Sequence, residues 1–487
     1  MTAAPLWTGG RLIEAMKARA QGPQPAAIGG ASIDTRTLEP GDAFFAIQGE
    51  KRDGHDFVAA ALEKGAALAV VDEAHAGDFP ADAPLAVVPD VLRAMEQAGM
   101  ARRAELHAGV VAVTGSVGKT GTKEALRLVL SRQGKTHAPV ASYNNHWGVP
   151  LTLTRTPADV RYGVYEIGMN SPGEILPLAK MVSPDVAIVT TVQPVHLAAF
   201  ESIEGIAREK AAIFSGLKPG GTAIINADIA QAGLLRELAE ASPAGRIISF
   251  GESASADVRL LGCSLKPEIS TVEANVRGRP VTYKLGSPGK HIVMNSLAVL
   301  AAVDALDADL ALAALALAEL KPPAGRGARQ MLHAPSGPFM LIDESYNGNP
   351  ASMRAAIENL GRIEAQGRGR RIAVLGDMLE LGESGPALHK GLAEAVTGNG
   401  VDLVFACGPL MRTLYDALPS RQRGAYAAQA SGLEPLLLDV LRAGDVVTVK
   451  GSLGSRMGSI VKGSLGTKMG PIVKAVLARH PAAGAGE

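Results

Sequence analysis

Gly109-Val110-Val111-Ala112-Val113-Thr114-Gly115-Ser116-Val117-Gly118-Lys119-Thr120 is the stretch on which the fold turns. Residues 110–113 are a continuous apolar run, as a strand buried on both faces requires. A glycine-containing turn follows, and the residues after it, 123–133, read as helix. Strand, loop and helix in that order open a doubly wound unit. The glycines let backbone N–H groups turn toward phosphate oxygens, and the following helix adds the positive end of its dipole. Thr114, Gly115, Ser116, Val117, Gly118, Lys119 and Thr120 are therefore a candidate phosphate loop, with Lys119 reaching the outer phosphates and the Thr120 hydroxyl able to hold Mg²⁺. One position departs from G-x-x-x-x-G-K-[ST]: its first glycine falls where the chain has Val113. A bare Gly-Lys-Thr also occurs in solvated turns; its place between an apolar strand and a helix argues for phosphate.

Working outward, apolar runs at 162–167, 186–191 and 222–226 are separated by helical segments and suit a buried, mostly parallel sheet. Residues 256–285 read as short strands at its edge, and 292–306 and 310–320 as closing helices. Lys321-Pro322-Pro323-Ala324-Gly325 breaks helix and marks a boundary. Upstream, strands at 42–47, 67–71 and 85–88 alternate with helical stretches at 57–64 and 91–107. Downstream, strands at 339–342, 371–375, 403–406 and 446–450 are each followed by a helical region. A chain of 487 residues is too long for one core. The expectation is an α/β protein of three domains: a small N-terminal one (1–108), a central mostly parallel sheet of phosphate-loop type (109–321) and a C-terminal Rossmann-like one (322–487).

Composition removes several function classes. Lys plus Arg and Asp plus Glu are both 48, and aromatics are 4%, so neither a basic face nor stacking platforms for nucleic acid are expected. Two cysteines, Cys263 and Cys407, offer no thiolate metal clip and no disulfide framework. No basic-then-apolar leader opens the sequence, and the run 310–320 is too short to span a bilayer and has acidic neighbours. A cytoplasmic protein without a membrane span is expected, and the lack of a long heptad repeat leans toward a monomer.

Polar residues collect where strands should end. Glu166 closes one run and His196 follows another; a carboxylate and an imidazole beside a phosphate loop can hold Mg²⁺. Asp343-Glu344-Ser345-Tyr346-Asn347-Gly348-Asn349-Pro350 and Gly376-Asp377-Met378-Leu379-Glu380-Leu381-Gly382 sit after two consecutive C-terminal strands, where capping turns alone are a poor explanation. Residues 450–461 are repeated at once as 462–473, and only one copy can sit on the end of the strand 446–449; the expectation is the first.

In combination, the segments at 114–120, 143–150, 346–350, 375–382 and 449–452, with Glu166 and His196, resemble the Mur ligase family of peptidoglycan synthesis across nearly the whole chain. The resemblance implies an ATP- and Mg²⁺-dependent ligase joining D-alanyl-D-alanine to UDP-N-acetylmuramoyl-tripeptide. It implies that Ser32, Thr35, Arg36, Asp53 and His55 touch the uridine nucleotide and that Asn144 and Asn145 face the muramoyl-peptide. It places His291 and Asn295 on the adenine side, and Arg326 and Asp343 on the nucleotide from the C-terminal domain. Tyr346, Asn347, Asn349 and Lys450 fall near the reacting ends, and Lys210 matches a lysine that the family carbamylates, making it a metal ligand with Thr120, Glu166 and His196. Lys119, Lys210 and His196 are the implied catalytic residues. Two other readings stay open: a related ligase, of Mur or folylpolyglutamate type, using another amine, and a nucleotide-binding scaffold of cell-wall synthesis without ligase activity.

Overall fold

The computed structural model describes residues 5–49, 52–194, 199–266, 268–323 and 325–452, which form three sheets in succession. The first has the order Arg19–Gln21, Leu85–Val88, Leu68–Asp72, Ala43–Phe45, Ala31–Ser32, parallel except for Arg19–Gln21. Helix Val91–Glu105, capped by Asp90, lies across it and ends toward the second sheet. There the buried Arg103 donates to the carbonyls of Val182 and Ser183, both at 2.6 Å. Trp7 Nε1 donates to Thr154 O at 2.8 Å and Arg155 Nε to Ala31 O at 2.6 Å, so the first two sheets are joined by buried hydrogen bonds.

The central sheet runs Arg279–Leu285, Ser270–Val276, Val258–Leu265, Arg246–Gly251, Thr222–Asn226, Val186–Val189, Gly109–Thr114, Tyr162–Glu166, Thr136–His137. Strand Gly109–Thr114 is flanked on both sides by parallel strands. Its side chains alternate between two cores, Val111 and Val113 with Leu126 and Leu297, Val110 and Ala112 with Val149 and Phe214. That two-sided burial is why it reads as an unbroken apolar run. The short strands expected at the edge are there, paired antiparallel, and their last hairpin turns on Arg277 (φ 50°) and Gly278 (φ 89°), the two positive φ values that a two-residue turn needs.

Helix Lys119–Ser131 begins four residues earlier than the sequence suggests. Thr120-Gly121-Thr122 are weak helix formers, but the loop places left-handed Gly118 at the N-cap and the helix must start directly behind it. The run at 310–320 is helix Leu310–Ala316 plus a 3₁₀ turn, opened by Asp309, whose carboxylate accepts from the N–H groups of Ala311 and Leu312. Among the described residues no helix is long and apolar enough to cross a membrane.

The third sheet has the order Ala328–Ala334, Gly337–Glu344, Val446–Lys450, Arg371–Gly376, Leu403–Cys407, Arg423–Ala427. Its edge strands, Ala328–Ala334 and Arg423–Ala427, lack apolar runs because each is partly exposed, and the sequence reading passed over both. Strand Val446–Lys450 lies between two strands far earlier in the chain. This is a topological switch point, with the crevice outside the strand ends Glu344, Lys450 and Gly376. Lys450, Gly451 and Ser452 of the first repeat continue directly from it; residues 453–473, the remainder of both copies, lie outside the described residues.

Candidate active site

The phosphate loop is built before any ligand arrives. Gly115 has φ +149°, and a Cβ there would stand 1.9 Å from Thr190 Oγ1, which is occupied in donating to Val117 O at 2.6 Å. Ser116 N donates to Thr191 O at 2.9 Å and its hydroxyl to Gln193 O at 3.1 Å. Thus Gly115 to Gly118 are stitched to the residues that follow the neighbouring strand Val186–Val189. At Gly118 (φ +90°) a Cβ would meet Asn295 Nδ2 at 2.8 Å, which brings Asn295, from helix Lys290–Ala305, against the loop. Lys119 folds back so that Nζ donates to Gly115 O at 2.6 Å. Burial lowers the Lys119 pKa; Glu166 opposes that shift and Arg326 adds to it.

On the loop's other side oxygen atoms converge. Thr120 Oγ1 donates to Glu166 Oε2 at 2.9 Å and lies 3.2 Å from Ser142 Oγ, and Glu166 is 1% exposed. Hydroxyl and carboxylate oxygens in this arrangement fit Mg²⁺, a hard cation that takes one or two protein ligands beside phosphate and water. Ser142 carries no distinguishing sequence signal. Asn144, expected to face the muramoyl-peptide, puts Nδ2 on Glu166 Oε1 at 2.7 Å. Asn145 Oδ1 accepts from Gly148 N at 2.9 Å and so closes the turn leading into helix Gly148–Thr154. His196 lies outside the described residues. Lys210, on helix Ile203–Ala211, is 2% exposed and has no hydrogen-bond or ion-pair partner among the described residues. Burial pushes its amine well below the usual lysine range, the nearby Lys119 charge pushes it further, and Glu209 opposes.

The third sheet supplies the opposite wall. Arg326 lies over the Tyr346 ring at 4.1 Å, close enough for its charge to act on Lys119. His291, on the first turn of helix Lys290–Ala305, is solvent-exposed yet crowded by the third sheet: loss of part of its hydration lowers its pKa, Glu344 opposes and Lys450 reinforces the shift. Lys450, 3% exposed, places Nζ 3.2 Å from Glu344 Oε2 and 3.0 Å from Asn347 O. Ser452 donates its hydroxyl to Gly348 O at 2.7 Å and receives Leu379 N at 3.0 Å, tying three strand ends together. Gly348 eases that approach, since a Cβ would sit tightly at 3.0 Å from Gly451 C and 3.1 Å from Ser452 N.

Several residues in this wall are already engaged. Asp343 Oδ1 accepts from Ser345 N at 3.0 Å, and Asn347 Oδ1 from Gly348 N at 2.8 Å. Asn349 caps helix Pro350–Gly361 in a reciprocal capping box with Ser352, worth about 1 kcal/mol. Asp377 Oδ1 accepts from Met411 N at 2.8 Å, so that cluster is a tie between strand ends.

The N-terminal candidates bond largely within their own sheet. Ser32 is fully buried and donates to Asp34 O at 3.0 Å, Asp34 holds Arg36 through both carboxylate oxygens, and Thr35 O receives Lys64 Nζ at 2.9 Å. The buried His55 uses both ring nitrogens: Nδ1 lies 2.6 Å from Asp53 Oδ1, and Nε2 accepts from Asp72 N at 3.1 Å. His75, which carries no sequence signal, stacks on it at 4.0 Å with 12° between the rings. Asp53, His55 and His75 are near enough together to suggest a metal site, but the near-parallel planes keep their lone pairs from converging on one ion. The cluster is a hydrogen-bonded clamp on its loop. The link to the phosphate loop is the segment 139–147: Trp147 lies 3.1 Å from where a Gly49 Cβ would project, and Arg155 approaches the Tyr143 ring at 5.7 Å.

Comparison with known proteins agrees with this arrangement sheet by sheet. Residues 27–103 match the model of the Mur ligase family catalytic domain, 113–303 the Mur ligase middle domain, and 329–453 the Mur ligase glutamate ligase domain. The chain is similar to the UDP-N-acetylmuramoyl-tripeptide–D-alanyl-D-alanine ligase of Bacillus subtilis, with 32% identity over 89% of this chain and 92% of that one. A crystal structure of MurF from Acinetobacter baumannii superposes with a TM-score of 0.79 at 31% identity, covering 92% of this chain and 96% of that one. MurF ligase from Thermotoga maritima, solved in complex with ADP, shares the fold at 24% identity with a TM-score of 0.72 over 92% of this chain and 96% of its own. The chain belongs to the Mur ligase family.

Proposed function

We propose that this protein is an ATP-dependent ligase that joins D-alanyl-D-alanine to UDP-N-acetylmuramoyl-tripeptide in peptidoglycan precursor synthesis. The observation that carries the reading is the convergence of a preformed phosphate loop, a buried Thr120–Glu166 pair and the Arg326–Tyr346 and Lys450 wall on one cleft. Full-length similarity to ligases of that name supports the choice of substrates.

In this reading the tripeptide's terminal carboxylate attacks the γ-phosphate of ATP, ADP leaves, and the amine of D-alanyl-D-alanine attacks the acyl phosphate, giving amide and phosphate. N–H groups of residues 115–120 and the Lys119 ammonium hold the transferring phosphoryl group, where fixed positive charge contributes most to rate. Thr120, Glu166 and, outside the described residues, His196 would hold Mg²⁺, which when bound neutralises phosphate charge. Lys210, whose amine burial pushes well below the usual lysine range, is suited to take up CO₂ and become an anionic oxygen donor. His291 and Asn295 bound the adenine side, and Arg326 and Asp343 approach the nucleotide from the third sheet. Tyr346, Asn347, Asn349 and Lys450 border the reacting ends, Asn144 and Asn145 the muramoyl-peptide, and Ser32, Thr35, Arg36, Asp53 and His55 the uridine end. Domain limits at 108/109 and 321/322, a monomeric state and a cytoplasmic location complete the proposal.

ADP release by the purified protein, measured with UDP-N-acetylmuramoyl-tripeptide against a panel of amines, tests the substrate assignment. D-alanyl-D-alanine is expected to support turnover and single amino acids are not. Turnover with a single amino acid and none with the dipeptide contradicts it.

A further inference from the structure

Lys123 is 0% exposed, one helical turn beyond Lys119 on the helix that opens at the phosphate loop. A lysine is almost never fully buried unless paired, and this one has two partners. Its Nζ donates to Pro139 O at 2.8 Å and lies 2.6 Å from Glu124 Oε1. Burial works against an ionised Glu124, yet its bonds to Lys123 and to Arg127, whose Nε donates at 2.8 Å, hold the carboxyl below the usual range. An apolar side chain would fill the same space without the desolvation cost of an ammonium, so the charge is explained by what it holds.

It holds the beginning of the segment 139–147. Val140, next in the chain after Pro139, is 88% exposed. The residues that follow make the contacts on which the cleft depends: Ser142 on Thr120, Asn144 on Glu166 through its side chain and on Gly168 N through its carbonyl, and Trp147 against Gly49 of the first sheet. We propose that Lys123 is a positioning residue: by gripping the Pro139 carbonyl it locks segment 139–147 to the phosphate-loop helix, so that the oxygen cluster and the muramoyl-peptide side of the cleft are set by one element. This rests on the reading of Thr120 and Glu166 given above.

Lys123→Met tests it. The expected result is unchanged ADP affinity and melting temperature, with kcat/KM for UDP-N-acetylmuramoyl-tripeptide reduced about 10- to 100-fold, as for other residues that orient a ligand-holding side chain. Lys123→Gln, which can still donate to the carbonyl, is expected to recover most of the loss. The chain has two tryptophans, so in a Trp7→Phe background the fluorescence anisotropy of Trp147 reports the segment directly and is expected to fall in Lys123→Met. Unchanged tripeptide kinetics and anisotropy overturn the proposal, as does a parallel loss of ADP affinity and melting temperature, which marks a general helix defect. Should Lys123→Met not fold, Pro139→Gly loosens the same contact from the segment's side and is expected to give the same split between tripeptide and ADP; its absence overturns the proposal. Retained ligation in Lys119→Ala defeats the phosphate-loop reading instead, whatever Lys123 does.

Discussion

Lys119→Ala is expected to slow amide formation by about a thousandfold, the loss found when one preorganised charge is removed from a developing anion, with no loss of thermal stability. The two halves of this result have separate causes. In the free protein the Lys119 ammonium makes one hydrogen bond, to Gly115 O, while Gly115 and Ser116 stay tied to the neighbouring strand's end by Thr190, Thr191 and Gln193. The loop's shape therefore does not depend on the lysine. Burial lowers the Lys119 pKa, so in the unliganded state the charge is a cost to folding that alanine removes. What alanine cannot replace is the charge at the phosphoryl group. Single-turnover amide formation beside a melting curve checks both halves; ligation within about tenfold of the parent refutes the assigned role.

Lys210→Met is expected to abolish at least about 99% of activity and, in CO₂-depleted buffer, to raise the melting temperature. Lys210 is 2% exposed, and its amine lies well below the ordinary value of 10.5 because of burial and then the Lys119 charge. Below that value the unfolded chain binds more protons at this position than the folded one, so folding gives up a proton or buries a charge. That cost is full below the lowered folded-state value and fades as pH climbs through it toward 10.5. The stabilisation by methionine should fade along the same course. The neutral form of the same amine is the nucleophile that CO₂ requires: the new N–C bond forms, one proton leaves to solvent, and a neutral buried group becomes an anion. Parent activity should accordingly drop on CO₂ depletion and return with bicarbonate, whereas the Met variant should respond to neither. Parent-level turnover in Lys210→Met contradicts the role.

The sheets and the phosphate loop were readable from the sequence because buried parallel strands leave unbroken apolar runs and because Gly115 and Gly118 stand where no Cβ fits. Glu166 was readable as the end of such a run. What escaped reading is set by contacts between distant segments. Lys123 looks like any polar residue on a helix until Pro139 returns to it, and Ser142 matters only because its segment passes Thr120. That the Asn144 amide also supports Glu166 depends on a cross-strand approach that local pattern does not encode. Asn349 and His55 carry local roles that the sequence pattern does not show: the one caps a helix and the other clamps a loop.

In the proposed reaction this cleft activates a carboxylate as an acyl phosphate. UDP-N-acetylmuramoyl-tripeptide carrying ¹⁸O in its terminal carboxylate, turned over with ATP and D-alanyl-D-alanine, tests it most directly, with mass spectrometry of the released phosphate as the readout. Attack of the carboxylate on the γ-phosphate leaves one labelled oxygen in each phosphate formed. Amide product accompanied by unlabelled phosphate would contradict the account.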